Sequence, residues 1–308
     1  MRIANYYPTT EEVGRNDGNP LYVTNTLRKM FELDNVVHLT PRNSFKGYGD
    51  FDLHFYIDFG EDAFPHLFKK WTCPKPNVCW MSDTHLGYDF RLEKSREFDV
   101  VFVAQKDAME KFRAAGVNAL WLPHAAEPEA YDGGKCIKKY DFCFNGNLNT
   151  PDRVDALDVM FKEFPNFYWG TRRFNDAARK YRQSRVNFNI AVKNDINMRM
   201  FEVMCSGGFL LTTDLSENGM NDVFPEKEGK LFEVYKTLEE AKEKCHYWIE
   251  HEKEREVVAE AGMKYVRANH TFEHRVRVML TEALPFIKSE ESKEQARKCL
   301  GISRSIST

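Results

Sequence analysis

The sequence predicts an α/β protein built from two parallel-sheet domains. Short β-rich runs alternate with helical patterns from the first residue onward, and the alternation pauses once near the middle before it resumes. The length of 308 residues also exceeds the ~100–200 residues of a typical single domain. Alternation of this kind indicates βαβ units rather than a sandwich of antiparallel sheets.

The first half supplies one complete set of alternating elements. Two segments, at 22–33 and 106–115, have the apolar spacing of amphipathic helices, and Gly116 follows the second one in the position that favours glycine. The β-rich runs lie at 2–6, 36–40, 52–59, 78–82, 100–104 and 119–122. We expect these runs to form the first parallel sheet.

A second set begins after a break that follows Pro123, where Gly133, Gly134 and several charges interrupt the apolar pattern. Predicted strands then lie at 141–145, 167–170, 186–192, 209–213 and 231–234. Predicted helices lie at 153–164, 176–183, 197–205, 238–250, 252–268 and 272–287, the last with Thr271 as N-cap. We therefore expect domains at 1–128 and 129–270, a terminal helix at 271–288, and a frayed tail at 289–308 that is rich in Lys, Glu and Ser.

Composition and charge exclude several classes of protein. The net charge of −3 gives no global basic field of the kind that drives binding to nucleic acid or to an anionic membrane. No run reaches the ~20 apolar residues that span a bilayer, and the first residues lack the apolar core of a signal peptide. The 7 cysteines are odd in number and show no C-x-x-C spacing, which is typical of free thiols. We expect a cytoplasmic protein.

The segment from Asn194 to Asp214 carries the most informative chemistry. It places Arg199 and Glu202 one turn apart on a predicted helix, which ends at Gly207 and Gly208 and is followed by an apolar strand. A nucleotide sugar needs a cation or a helix N-terminus for its diphosphate and a carboxylate for its ribose hydroxyls. The simpler alternative is an i, i+3 surface ion pair between the two side chains, worth a few tenths of a kcal/mol.

Residues 199–214 resemble the donor-binding motif of the group 1 glycosyltransferase clan, and within it the spore-maturation CgeB-like branch. In that branch, as in this sequence, an Arg-x-Phe-Glu helix, a small-Gly pair and a Leu-Leu-Thr strand occur in this order. Three further segments resemble the same family: Phe144-Asn145-Gly146-Asn147 with Arg153, Leu122-Pro123-His124-Ala125-Ala126-Glu127-Pro128, and His270-Thr271-Phe272 with Arg275. The resemblance covers roughly residues 100 to 280, and the first hundred residues match only in pattern.

The resemblance implies the GT-B architecture, in which two Rossmann-like domains face each other across a cleft and the terminal helix crosses back to the first. It implies transfer of a hexose-type sugar from a nucleoside-diphosphate sugar to a hydroxyl of a glycan, a protein or a modified nucleobase, without an obligatory metal or other cofactor. Glu202 would accept the ribose hydroxyls, while Arg199 or Arg153 would offset the diphosphate charge. Lys193 and Gly146 are further donor-binding candidates.

One residue departs from the pattern of the wider clan. Many members carry a Glu-x7-Glu pair whose first carboxylate lies near the donor sugar, and this position is Asn194 here. An amide can hydrogen-bond a sugar hydroxyl but brings no negative charge to a developing oxocarbenium ion. Asn194 therefore remains a donor-binding candidate, and retention or inversion of the anomeric configuration is left open.

The first half offers two candidate catalytic residues, Asp83 and His85, directly after the predicted strand at 78–82. Open α/β sheets bind ligands at the carboxyl ends of their strands, so either side chain could act as a base on the acceptor or touch the donor sugar. Ordinary helix capping by Asp83 and a solvated His85 are the alternatives. His124 could likewise face the cleft or stiffen the crossover.

Two other patterns predict no site. Asp50-Phe51-Asp52 formally contains a metal-binding D-x-D, but it falls where a turn feeds a strand, which favours a solvated strand start. The loop at 9–20 contains glycines without a G-x-G-x-x-G spacing, so a dinucleotide site is not expected. No other constellation has metal-ligand spacing.

Two alternative functions remain open. A non-catalytic nucleotide-sugar-binding protein would fit Asn194 and the weakly matching first domain. A nucleic-acid-modifying sugar transferase would need a basic groove in the first domain. The residues that could form such a groove, or merely a solvated surface, are Arg28, Lys29, Arg42, Lys46, Lys69 and Lys70.

Overall fold

A computed structural model describes residues 1–7, 18–40, 50–58, 74–85, 87–148, 150–193 and 195–302. The chain divides into two compact units, of which the first comprises Met1–Pro123 with Phe272–Thr308 and the second comprises His124–Thr271. The division thus falls slightly before the expected boundary at 128/129. None of the helices in the described ranges is long and apolar enough to cross a membrane.

The first unit is built on a parallel sheet of six strands in the order β2-β1-β3-β4-β5-β6. The strands are β1 Ile3–Tyr6, β2 Val36–Leu39, β3 Leu53–Asp58, β4 Asn77–Met81, β5 Val100–Val103 and β6 Ala119–Trp121. In the described ranges, the helices between these strands are α1 Asn19–Phe31, α2 Tyr88–Ser95 and α3 Lys106–Ala114.

The central strands explain why this sheet forms. Every residue of β3, β4 and β5 is buried, as expected for a parallel sheet covered on both faces. One face carries Tyr56, Met81 and Val103, and Phe112 from α3 joins the same core. The chain order reverses between β1 and β3, so this pair marks the point where doubly wound sheets open a crevice at their carboxyl ends.

The second unit repeats the plan with five parallel strands in the order β11-β10-β9-β7-β8. Its strands are β7 Tyr140–Asn145, β8 Phe167–Gly170, β9 Ser184–Asn189, β10 Leu210–Thr213 and β11 Glu233–Tyr235. Its helices are α4 Pro151–Glu163, α5 Phe174–Gln183, α6 Met198–Cys205, α7 Met220–Val223, α8 Leu238–Glu250 and α9 Glu252–Asn269. Here the chain order reverses between β7 and β9.

Phenylalanines dominate the core of this second unit. The ring of Phe142 on β7 stacks 5.7 Å from Phe164 and lies 5.2 Å from Phe188 on β9. Phe209 and Trp248 lie 4.6 Å apart and join β10 to α8 in the same cluster. These contacts fix the relative positions of β7 and β9, whose ends carry the polar groups described below.

The chain returns to the first unit through α10, Phe272–Ala283. Phe272 lies 4.7 Å from Tyr22 and 6.0 Å from Trp80, and Arg275 Nε donates to the carbonyl oxygen of Pro123 over 2.7 Å. Residues after 289 were expected to be frayed, and this expectation is wrong for α11, Glu290–Leu300. Ser289 caps that helix through the amide of Ser292 over 3.0 Å, and Ala296 is fully buried.

Candidate functional site

The carboxyl ends of β7 and β9 bring the polar residues of the second unit together. Asn145 is the last residue of β7 and Asn189 is the last residue of β9. These adjacent strands flank the reversal of chain order, which is where open parallel sheets bind ligands. The side chain of Arg199, from the first turn of α6, contacts both of them.

Arg199 is held by neutral oxygens. Its Nε donates to the carbonyl oxygen of Asn145 over 2.8 Å, and its Nη1 donates to Oδ1 of Asn189 over 3.0 Å. Its guanidinium lies 4.5 Å from the centre of the Phe144 ring. Arg199 makes no ion pair with any carboxylate among the described residues. Its positive charge is therefore oriented but not neutralised.

Gly146 explains how the guanidinium fits. A Cβ atom at this position would overlap Nη2 of Arg199, so only glycine lets the turn after β7 pass so close. The amide of Gly146 donates to the carbonyl oxygen of Gly170 over 2.7 Å, which fixes the turn against the end of β8. The structure thus places the predicted Gly146 directly beside the predicted Arg199.

Arg153 plays a different part from Arg199. It is only 6% exposed, and its two terminal nitrogens donate to the carbonyl oxygens of Asn147 and Ile190, each over 3.0 Å. Burial and the charge of Arg199 lower the pKa of Arg153 to about 10. Arg153 therefore ties together the two loops that leave β7 and β9, and adds positive charge beneath Arg199.

Glu202 lies one turn after Arg199 on α6 and accepts a hydrogen bond from the hydroxyl of Tyr131 over 2.7 Å. The i, i+3 ion pair considered as an alternative is not formed, because Arg199 is directed towards the strand ends instead. Tyr131 is buried, so it fixes one carboxylate oxygen of a half-buried side chain. One helix thus presents a cation and a carboxylate on the same face.

Asn189 is the centre of a polar network that orients Arg199. Its amide nitrogen donates to the hydroxyl of Thr212 over 2.9 Å, and its Oδ1 also accepts from Asn197 over 3.2 Å. The hydroxyl of Tyr235 donates to the backbone oxygen of Asn189 over 3.0 Å. Oδ1 of Asn197, at the N-cap of α6, is buried without a hydrogen-bond partner in the described ranges. This network holds the oxygen that Arg199 contacts.

Of the two candidates after β9, only Lys193 can be described. It is exposed and adopts a left-handed backbone with φ of 49°, four residues beyond the last residue of the strand. No described hydrogen bond brings it to Arg199. Asn194 lies outside the described residues.

In the first unit, Asp83 and His85 follow the carboxyl end of β4 as expected. Both are half-buried, and the hydroxyl of Ser82 lies 3.4 Å from Oδ2 of Asp83. Beside them, Asp58 at the end of β3 forms a buried two-point ion pair with Arg91, with Nε–Oδ2 and Nη2–Oδ1 distances of 2.5 and 3.1 Å. This ion pair was not predicted from the sequence, because its two residues lie 33 positions apart.

The patterns judged to be non-functional have local explanations. The carboxylate of Asp52 accepts from the amide of Arg2 over 2.6 Å, so the D-x-D segment is tied to the strand start. No group of three or more His, Cys, Asp and Glu side chains suited to a metal ion occurs among the described residues.

His124 is buried in the second unit. The loop at 9–17, with Arg42, Lys46, Lys69 and Lys70, lies outside the described ranges.

Sequence reasoning missed Asn189 and Tyr131. It extended β9 to residue 192, which hid Asn189 inside a strand, although a polar residue where a buried strand ends is the usual signal of such a site. Tyr131 gave no local signal, because its partner Glu202 lies 71 residues away.

Comparison with known proteins is consistent with this placement. Residues 142–281 match a family model described as glycosyl transferase-like, and the match contains Arg153, Arg199 and Glu202. No curated protein matches the sequence. The family match covers most of the second unit and most of α10, and it does not extend to the strands of the first unit.

Solved structures match nearly the whole chain. An E. coli trehalose-6-phosphate protein bound with UDP-2-fluoro glucose covers 92% of this chain and 99% of its own, with 9% identity and a TM-score of 0.65. An alpha-glucosyltransferase in complex with UDP and a 13-mer DNA containing an HMU base covers 92% and 99%, with 10% identity and a TM-score of 0.64. The DNA-modifying enzyme beta-glucosyltransferase, studied with and without uridine diphosphoglucose, covers 98% and 100%, with 13% identity and a TM-score of 0.57.

At such low identities these likenesses show the fold. The chain has the α/β fold of the GT-B glycosyltransferases, with two parallel-sheet Rossmann-like domains. Together with the family match, the fold supports a glycosyltransferase of the GT-B type. Neither comparison identifies the CgeB-like branch.

Proposed function

We propose that the protein transfers a sugar from a nucleoside-diphosphate donor to an acceptor hydroxyl, with the donor bound at the ends of β7 and β9. The observation that carries this proposal is Arg199, an oriented guanidinium without a carboxylate partner in the described residues, one turn from the carboxylate of Glu202. An uncompensated cation at a strand end favours a bound anion. The family match at 142–281 and the UDP ligands of the structural neighbours point to a nucleotide sugar.

Each part of the donor has a matching group in this proposal. The diphosphate lies against Arg199 and the N-terminal amides of α6, where the helix dipole also favours negative charge. Glu202, held through Oε1 by Tyr131, accepts the ribose hydroxyls. Gly146 and Lys193 are the further donor-binding residues of this proposal, and Asn194 is proposed to hydrogen-bond a hydroxyl of the donor sugar.

Catalysis follows from charge that grows during the reaction. As the bond from the sugar to the diphosphate breaks, negative charge accumulates on the leaving group, and an oriented Arg199 stabilises it without reorganisation. Arg153 acts as a positioning residue, because both of its terminal nitrogens are committed to the loops after β7 and β9. On this basis the proposed reaction needs no obligatory metal.

The acceptor belongs to the first unit in this proposal. Asp83 and His85 stand after β4, next to the strand pair where that sheet reverses its chain order, and one of them takes the proton of the acceptor hydroxyl. The acceptor is a hydroxyl of a glycan, a protein or a modified nucleobase. Membership of the CgeB-like branch is proposed on the segments from 199 to 214 and from 270 to 275.

The test is a calorimetric and thermal-shift screen of UDP, GDP, CDP, ADP and dTDP with their common sugars, because a ligand that binds only the folded state raises its stability. We expect one nucleotide to bind, and Glu202→Gln to weaken it about 10–100-fold, since a charged hydrogen-bond partner is lost. Glu243→Gln, on the exposed face of α8, is the matched control and should bind as the parent does. No binding by any nucleotide would refute the proposal.

Turnover separates the enzyme from a non-catalytic binding protein. With the selected donor, the parent should show slow donor hydrolysis even without an acceptor, whereas Asp83→Asn or His85→Gln should lower kcat and leave the donor Kd unchanged. Asp89→Asn, an exposed carboxylate on α2, is the control. Tight binding with no hydrolysis and no transfer would favour the non-catalytic alternative.

A further inference from the structure

A cavity in the second unit lies at the opposite edge of its sheet from Arg199. Its volume is about 350 Å³, within the ~300–1,000 Å³ of small-molecule sites. Lys138 precedes the start of β7, and Phe209 precedes the start of β10, so the cavity borders the amino ends of these strands. Arg199 and Asn189 lie at the carboxyl ends, so the two sites are separate.

Three cations from different segments line this cavity: Lys138, Arg182 and Arg255. Lys138 Nζ donates to the carbonyl oxygen of Ser184 over 2.9 Å, and Arg182 Nη1 donates to that of Ser206 over 3.2 Å. Neither Lys138 nor Arg182 lies within ion-pair distance of a carboxylate in the described ranges. Each is therefore held in place by a neutral oxygen rather than by an ion pair with a carboxylate.

Arg255, which also lines this cavity, provides an independent observation. Its side chain is 1% exposed, and its Nη1 donates to the carbonyl oxygens of Trp248 and Ile249 at the end of α8. Its Nε and Nη2 are buried without a hydrogen-bond partner in the described part of the chain. A buried donor left without a partner costs roughly 1–3 kcal/mol, and more when it is charged. An anion in the cavity would supply acceptors to these nitrogens.

Glycine at position 207 keeps the cavity in this form. The residue has φ of 77°, and a Cβ atom there would overlap Nη1 of Arg182. Because Gly207 has no side chain, Arg182 can lie against the backbone just before the start of β10. Gly207, predicted only as the end of a helix, also shapes this cationic wall.

The rest of the lining limits the kind of ligand. Phe209, Ala259 and Met263 give one apolar wall, while the exposed Glu256 and Glu260 stand at the edge. Glu260 is paired with Lys264 over 2.7 Å, which offsets its charge. Cations therefore outnumber free carboxylates, and the carboxylates can accept hydrogen bonds from hydroxyl groups.

We propose that this cavity binds the phosphate group of a small phosphate monoester, with Lys138, Arg182 and Arg255 on the phosphate and Glu256 on the hydroxyls of its organic part. A phosphate offers several acceptor oxygens to cations that approach from different directions, as these three do. The cavity has room for more than the phosphate itself.

The charge state of Lys138 makes this binding sensitive to pH. Burial and the charges of Arg255 and Arg182 lower the pKa of Lys138 to about 8, against the opposing effect of Glu256 and Glu252. Lys138 loses its proton as the pH rises through this value, and the anion then loses one cation. The affinity of the parent for glucose 6-phosphate, whose phosphate group is already largely a dianion at pH 7, should therefore fall between pH 7 and pH 9, and the affinity of Lys138→Gln should change less.

The experiment is calorimetric titration of the full chain with inorganic phosphate and with glucose 6-phosphate, at constant ionic strength. We expect saturable binding of both, and at least about tenfold weaker binding by Lys138→Gln and by Arg182→Gln, since each loses a charged hydrogen bond. Lys162→Gln, an exposed lysine on α4, is the matched control and should bind as the parent does. Glu256→Gln should weaken glucose 6-phosphate but not inorganic phosphate.

Competition separates this site from the proposed donor site. Saturation with the nucleotide selected by the screen should leave phosphate binding unchanged, and Lys138→Gln should bind that nucleotide normally. Three results would each overturn the proposal: no saturable binding of phosphate, binding by Lys138→Gln and Arg182→Gln as tight as that of the parent, or displacement of phosphate by the nucleotide. None of these results would alter the case for the donor site.

Discussion

The two units carry the same sheet plan but treat the charge at its carboxyl edge in opposite ways. β3 of the first unit and β9 of the second occupy the same place beside the strand where chain order reverses. β3 ends in Asp58, which pairs with Arg91, and β9 ends in Asn189, which contacts Arg199. A carboxylate neutralises its arginine, whereas an amide only orients it. Arg91 therefore contributes to stability as part of a buried ion pair, whereas Arg199 keeps a positive charge that we propose is used to bind a ligand.

The largest effect is expected from breaking the pair in the first unit. Asp58→Asn leaves Arg91 buried and uncompensated, so the free energy of unfolding should fall by roughly 3–5 kcal/mol. Urea denaturation measures this change, and Asp89→Asn on the exposed face of α2 should cost less than about 1 kcal/mol. Equal stability of Asp58→Asn and the parent would contradict a structural role for Asp58.

A second buried group in the first unit makes its stability depend on pH. Burial and the charge of Lys288 lower the pKa of His54 to about 4, from an ordinary 6.5. Between these values the unfolded chain takes up a proton that the folded chain does not. The free energy of unfolding should therefore fall by up to about 3 kcal/mol as the pH falls from 6.5 to 4.

The measurement is urea denaturation at several pH values for the parent and for His54→Gln. The difference between the two isolates the contribution of this side chain from those of the other histidines. Parallel pH profiles would show that His54 is not responsible. The donor site should be insensitive to this substitution.

Giving Arg199 a carboxylate partner, as Arg91 has in the first unit, should remove most of the attraction of the second unit for an anion. Asn189→Asp places a carboxylate against Arg199, as Asp58 stands against Arg91. Nucleotide affinity should fall about 10–100-fold, because the ligand loses a free cation and meets a new negative charge. Calorimetry measures the affinity, and a melting temperature at or above that of the parent would show that the fold is intact. Unchanged nucleotide affinity would contradict the proposal that the neutral amide of Asn189 leaves the charge of Arg199 available to the nucleotide.

The smallest expected effect comes from moving Arg199 without removing its charge. Gly146→Ala brings a Cβ atom onto Nη2 of Arg199, so donor affinity should fall about tenfold. If the effect passes through Arg199, the double variant with Arg199→Gln should bind no more weakly than Arg199→Gln alone. Additive losses would show that Gly146 acts independently of Arg199.

Most of the fold could be predicted because alternation is a local signal. The predicted strand at 167–170 and the helix at 238–250 agree with β8 and α8 at both ends. The helix α2 was missed because Arg91 and Lys94 are buried in it, which conceals its apolar face. Arg91 is buried only because Asp58 lies beside it in the folded chain, 33 residues earlier.

The candidate site was predictable only where one segment carries it. Arg199 and Glu202 share a helix, so their spacing could be read directly from the sequence. The groups that orient them, Asn189 and Tyr131, come from other elements and meet them only after the sheet has formed. The unsatisfied nitrogens of Arg255 are likewise a property of three-dimensional packing that no periodicity reveals.

The most direct test of the account is calorimetric titration of the parent and of Arg199→Gln with the selected nucleoside diphosphate and with the matching nucleoside. We expect Arg199→Gln to lower the affinity for the diphosphate at least about tenfold and to leave the affinity for the nucleoside unchanged, because in this proposal Arg199 contacts only the phosphates. Equal affinity of parent and variant for the diphosphate would contradict the central claim that this uncompensated arginine binds the donor.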